Sequence, residues 1–159
     1  VNVAVVFFFF FNVGVHGRVN KLGVPSFVFS REEFIAGVPI LEKLAEYDVC
    51  LIVLAGFMNK ISDVILQAFP GKIVNIHPAL LPKYGGKGMY GMHVHEAVVK
   101  AGERESGITI HYINEHYDEG AIIFQASCPV LPSDTPEEVA SKVHALEYAH
   151  YPHVIESLL

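Results

Sequence analysis

Two short segments carry the side chains best suited to acid–base work. In Lys72-Ile73-Val74-Asn75-Ile76-His77-Pro78 an amide and an imidazole alternate with apolar residues. Side chains on a strand alternate faces, so Asn75 and His77 point one way while Val74 and Ile76 point into the opposite layer. Pro78 cannot donate to a ladder, which ends the strand and leaves His77 at its C-terminal mouth. In open parallel sheets that mouth is where ligands bind. An amide donor beside a titratable imidazole can hold, and then protonate, a carbonyl oxygen that is becoming an oxyanion. Taken alone, Asn-x-His at a strand end is more often a satisfied loop pair. A second segment strengthens the chemical reading: His111-Tyr112-Ile113-Asn114-Glu115-His116-Tyr117-Asp118-Glu119-Gly120 follows the apolar run Gly107-Ile108-Thr109-Ile110 and supplies Asp118 just before a glycine turn.

The elements that must position these groups alternate along the chain. Residues 1–6 and 26–29 read as strands, with a short, weak helix over 14–22 between them. Ser30 with Glu33 forms a capping box for a helix from Arg31 to about Tyr47. Residues 48–55 read as an apolar strand ending at Gly56, and Ser62 caps a helix to about Phe69. Gly71 opens the Asn-x-His strand. This alternation predicts an α/β fold, a Rossmann-like, mostly parallel sheet with helices on both faces. Beyond Pro82, residues 84–92 are a glycine-rich loop and 93–101 a helix. Residues 108–113 and 121–130 are strands whose short connection predicts antiparallel pairing near the C-terminal end. Asp134 or Thr135 caps a last helix that Pro152 interrupts.

Composition bounds the function. A chain of 159 residues with 52% hydrophobic content suits one folded domain, residues 1–159. The formal charge of −6, with no basic stripe, carries no nucleic-acid footprint. No stretch matches a membrane span, and the apolar start lacks the basic flank and cleavage site of a signal peptide. Cys50 and Cys128 show no metal or redox spacing and read as buried thiols of a reducing, cytoplasmic compartment. The nine histidines prompt a metal-binding alternative, yet none has a zincin arrangement or a cysteine partner at ligand spacing, so no metal is expected. The five consecutive phenylalanines at 7–11 sit where a strand-to-helix connection should turn polar; they read first as a sequence artefact and second as a real apolar lid.

Leu54-Ala55-Gly56-Phe57-Met58, Asn75-Ile76-His77-Pro78-Ala79-Leu80-Leu81-Pro82 and Tyr117-Asp118-Glu119-Gly120, in this order and spacing, make the chain resemble the phosphoribosylglycinamide formyltransferase family of the formyltransferase superfamily. The match covers nearly everything from Val49 onward and, more loosely, residues 1–34. The resemblance implies formyl transfer from 10-formyltetrahydrofolate, as co-substrate, to the amine of glycinamide ribonucleotide in purine biosynthesis. It assigns catalysis to Asn75, His77 and Asp118. It places the reduced folate against Arg31, Met58, Asn59, Lys60, Ile61, Asn75 and Asn114, and the amine end of the ribonucleotide at Glu147. Without it, Arg31 is an exposed helix-start residue and Glu147 a helix-face carboxylate. Asn59 stands where relatives often carry arginine, which weakens a side-chain role there.

The family begins with a further strand and a phosphate-cradling Gly/Ser/Asn loop; Val1 matches its second strand, so the native protein is expected to be longer. A monomer or homodimer fits the resemblance equally. The rival readings are a formyltetrahydrofolate hydrolase using the same three residues and an inactive folate-binding scaffold.

Overall fold

The computed structural model describes residues 2–8 and 13–159. Two units emerge, Val1–Ile52 with Ile61–Pro70, and Val53–Lys60 with Gly71–Leu159. In the first, β1 (Val6–Phe8) pairs in parallel with β2 (Ser26–Val28), aligning Phe7 with Phe27. The strand thus begins where the expected strand over 1–6 ends. The reason is aromatic packing: the Phe7 ring meets Phe29 edge-on at 5.1 Å and Phe27 at 6.3 Å. Phe7 and Phe8 therefore belong to a regular strand, while Phe9, Phe10 and Phe11 lie outside the described residues. Helix α1 (Val13–Lys21) connects the two strands.

The long helix expected over 31–47 is two helices, α2 (Arg31–Ala36) and α3 (Val38–Glu46). Ser30 and Glu33 form the expected capping box, at 3.2 and 2.8 Å. Gly37 breaks the run at φ +74°, its N–H closing on the Glu33 carbonyl as a left-handed cap. A Cβ there would lie 2.5 Å from the Ser62 hydroxyl, so close approach as well as backbone conformation requires glycine. After α3, Asp48 turns at φ +53° and the Val49 N–H returns to the Leu44 carbonyl. That closure consumes the front of the strand expected at 48–55, leaving β3 as Ile52–Leu54. Ser62 precedes α4 (Asp63–Ala68) as expected, but its side chain makes no capping bond. Cys50 is exposed rather than buried, because the chain is still in this turn and not yet in the strand.

A sheet of order β3-β4-β5-β6 lies, apart from Ile52, in the second unit, where β4 is Ile73–His77, β5 Glu105–Tyr112 and β6 Ile122–Pro129. Strands β4–β5 and β5–β6 are antiparallel, the expected C-terminal departure from parallel order. Pleating sorts β4 and β5 cleanly. Ile76 faces Ile110 and joins Ile108, Val139, Val143 and Tyr151 in the core. Asn75 opposite His111, and His77 opposite Thr109, occupy the other face. Helix α5 (Met92–Lys100) buries Val94, His95 and Val98, and α6 (Pro136–Ser157) buries Val139, Ala140, Val143 and Tyr151. Each such branched or aromatic side chain contributes about 1.5–3 kcal/mol when fully buried.

Thr135 and Glu138 form a capping box at the start of α6, with Pro136 in its first turn. The helix runs through Pro152, contrary to expectation. Pro152 removes the bond to the Tyr148 carbonyl, and both residues are exposed, so water can satisfy that carbonyl. Among the described residues no helix is long and apolar enough to cross a membrane.

Candidate active site

Strand β4 delivers Asn75 and His77 to one face at 8% and 4% exposure, and β5 sets the fully buried His111 beside them. Asn75 Nδ2 lies 3.3 Å from His111 Nε2, and His111 Nδ1 lies 3.0 Å from the Tyr112 carbonyl. A carbonyl only accepts, so Nδ1 carries the proton and Nε2 presents its lone pair to the Asn75 amide. Burial supports this neutral form, since it pushes the His111 pKa down against the opposing pull of the Tyr112 carbonyl and Asp118. The neutral ring thus orients the carboxamide. Asn75 Oδ1 is buried and has no hydrogen-bond partner among the described residues.

His77 is held from both sides. Its Nε2 lies 2.7 Å from the Tyr84 carbonyl and must donate, while Nδ1 faces Asp118 Oδ1 at 3.6 Å. When Nδ1 is also protonated, that proton is directed towards Asp118. Asp118 Oδ1 also stands 3.7 Å from His111 Nε2, and Oδ2 accepts the Gly86 N–H at 2.8 Å. Contacts beyond about 3.2 Å are longer than ordinary N–H···O bonds, so Asp118 acts on both rings mainly through its charge. It does so from φ +56°, a left-handed conformation that aspartate tolerates better than most residues.

The turn after His77 is fixed by Thr109, whose hydroxyl donates to the Ala79 carbonyl at 2.7 Å and accepts the Leu81 N–H at 3.0 Å. Gln125 donates to both Thr109 Oγ1 and the Leu81 carbonyl, at 2.9 and 3.1 Å. Strand β6 therefore anchors the turn that follows the imidazole. Gly120 lets the 114–120 turn close: a Cβ there would sit 1.6 Å from the Tyr112 carbonyl oxygen.

The remaining expected residues divide. Met58, Asn59 and Lys60 follow β3 as an exposed irregular segment of the second unit. Asn114 spends its side-chain oxygen on the His116 N–H at 2.9 Å, an Asx turn at the start of the 114–118 loop. Glu147 is half-buried on α6, and burial raises its pKa against the lowering effect of His144. Arg31 and Ile61 belong to the first unit, Arg31 exposed at the first position of α2 and Ile61 buried. Sequence reasoning gives no role to His111 or Tyr84. His111 was detectable through its alternation with Thr109 against Ile108 and Ile110, although a buried histidine on a strand is usually structural. Tyr84 contributes a backbone carbonyl, which its identity does not advertise.

A strand-borne Asn-x-His with a facing carboxylate on an α/β sheet equips a protein for transfer chemistry at a carbonyl carbon. Residues 2–155 match the family described as formyl transferase, and the chain belongs to that family. Its relatives include the chloroplastic phosphoribosylglycinamide formyltransferase of Arabidopsis thaliana, 42% identical over 141 residues, covering 86% of this chain and 48% of that protein. The phosphoribosylglycinamide formyltransferase of Bacillus subtilis is 39% identical over 146 residues, covering 89% and 72%. The crystal structure of phosphoribosylglycinamide formyltransferase from Bacillus halodurans superposes with a TM-score of 0.90 at 31% identity, over 99% of this chain and 81% of that one. The fold is Rossmann-like, as in these neighbours. The chain spans about half the length of the plant relatives it matches.

Proposed function

We propose that the chain transfers a formyl group from 10-formyltetrahydrofolate to the amine of glycinamide ribonucleotide, acting as one formyltransferase domain in de novo purine biosynthesis. The observation that carries this reading is the convergence of Asn75, His77 and Asp118 on one rim of the sheet, with Asp118 3.6 Å from the imidazole.

The steps follow from those groups. The substrate amine attacks the formyl carbon and the carbonyl electrons move onto oxygen, giving a tetrahedral centre. Asn75 keeps one amide N–H beyond the one directed at His111, and donates it to that oxygen. Its bare, buried Oδ1 accepts an N–H of the attacking amine, relieving an acceptor that is costly to leave unpaired. His77 gives a proton to the oxyanion. On collapse the hydroxyl returns its proton to His77 as the carbonyl re-forms, the bond to folate N10 breaks, and N10 takes the proton that the attacking nitrogen has given up to Asp118. The amine is itself the nucleophile, so the sequence of steps needs no covalent enzyme intermediate and no metal.

Met58, Asn59, Lys60, Asn75 and Asn114 are assigned to the reduced folate and Glu147 to the amine of the ribonucleotide, on their match to the family. The test mixes intact protein with 10-formyltetrahydrofolate, with and without glycinamide ribonucleotide, and follows deformylated folate. Donor consumption should require the ribonucleotide and yield an equal amount of formylated product. Equal consumption without the ribonucleotide would make the chain a hydrolase and overturn the reading.

A further inference from the structure

Tyr84 meets His77 through its backbone alone, yet its side chain is tied elsewhere. The carbonyl takes the Nε2 proton at 2.7 Å, which leaves Nδ1 as the nitrogen facing Asp118. Tyr84 presents that carbonyl from φ +56°, a conformation bulky residues rarely adopt. Something must hold it there. The phenol donates to Glu103 Oε1 at 2.9 Å, and Lys83 Nζ donates to the same oxygen at 3.0 Å. The Tyr84 ring packs against the core that contains Val98 and Ile108. Glu103 lies between α5 and β5, so the three residues join the chain entering the 84–91 loop and α5 to the chain leaving that helix.

The protonation states suit the clamp. Lys83 and Tyr84 hold the Glu103 carboxyl below its ordinary range, and burial together with Glu103 holds the Tyr84 phenol above its own. A neutral donor therefore meets a carboxylate. An exposed Lys–Glu pair would contribute little by itself. This one shares its acceptor oxygen with the side chain of a residue in a strained conformation, and that residue's carbonyl touches the working imidazole.

Resting on the reading of His77 as proton donor, we propose that Glu103 is a positioning residue. It acts through the Tyr84 hydroxyl to hold the Tyr84 carbonyl against His77 Nε2, and so selects Nδ1 as the nitrogen that faces Asp118 and the reacting oxygen.

Tyr84→Phe and Glu103→Gln, made separately and together in the intact protein, test this. Each should lower kcat on the order of tenfold, as when an outer partner of a working histidine is removed, with KM for both substrates and the melting temperature unchanged. The His77 Nε2 ¹⁵N shift should move as its hydrogen bond to the Tyr84 carbonyl is loosened. The double variant should lose no more than the worse single, because both cut one link. Unchanged kcat with unchanged ¹⁵N shifts, or multiplicative losses in the double variant, would overturn the clamp. His77→Ala separates the two readings: full activity in that variant would sink the catalytic role of His77, whereas the ring shifts report on the clamp whatever reaction is catalysed.

Discussion

His111 shows how packing sets a protonation state and then uses it. Buried and donating through Nδ1 to the Tyr112 carbonyl, it has one lone pair left, and Asn75 receives it. The amide is thereby aimed at the site instead of rotating about its last torsion. Asn75→Ala should lower kcat by roughly 10²–10³-fold, about 2.7–4 kcal/mol of barrier, the usual effect of deleting one oxyanion donor. Steady-state kinetics at saturating substrates reads this, and a loss below threefold would remove Asn75 from the transition state. Asp118→Asn keeps the shape but removes the negative charge that faces His77 Nδ1. Turnover should fall by roughly 10²-fold, within the range expected when proton transfer is impaired, and the Gly86 contact can persist through the amide oxygen. The shared face of Asn75 and His77 was legible in the sequence because it needs only strand periodicity and the stop at Pro78. Asp118 stood out in the sequence as a carboxylate before a glycine turn, but its partnership with His77 was legible only by family resemblance. Its approach to His77 depends on a left-handed turn and on a pairing irregularity between Ile110 and His111, neither of which local periodicity encodes.

Strands β5 and β6 approach so closely that one position admits no side chain. A Cβ on Gly107 would stand 2.0 Å from the Ala126 carbonyl oxygen and 2.9 Å from the Ser127 Cα. Both are backbone, so the strands would have to part. Gly107→Ala should destabilise the fold by about 1–3 kcal/mol or more, seen as a lower denaturant midpoint. Gly17 is the useful contrast: it lies within α1 with open space around its Cα, and Gly17→Ala should stabilise by roughly 0.5–1 kcal/mol. Equal midpoints for the two variants would contradict the close approach. Helix starts at Ser30 and Thr135 were legible because a capping box is a local pattern of three-residue spacing. The break at Gly37 was not, since it combines a left-handed cap with the nearness of Ser62, distant in sequence. Passage of α6 through Pro152 was hidden for a related reason: tolerance depends on the exposure of Tyr148, a property of the folded helix.

Across the whole molecule, acid should act on the fold through buried imidazoles. His95 is 2% exposed on α5, and burial, the charge of nearby His144 on α6 and His77 on β4 lower its pKa from 6.5 to about 4. The native state keeps this ring neutral while the unfolded chain accepts a proton near pH 6.5. Unfolded protein therefore binds more protons between those values, so stability is full above about pH 6.5 and falls as pH drops towards about 4. His111, depressed in the same direction, adds to the effect. Denaturant melts across this range should show the decline, and His95→Gln should flatten it; an unchanged slope would mean that His95 is not the buried base. The chemistry of the intact protein is probed most directly by single-turnover formyl transfer in the His77→Ala variant, with donor and acceptor saturating. The predicted result is a rate lowered on the order of 10²–10⁴-fold with donor affinity preserved. A rate within twofold of the parent would contradict the assignment of proton donation to His77.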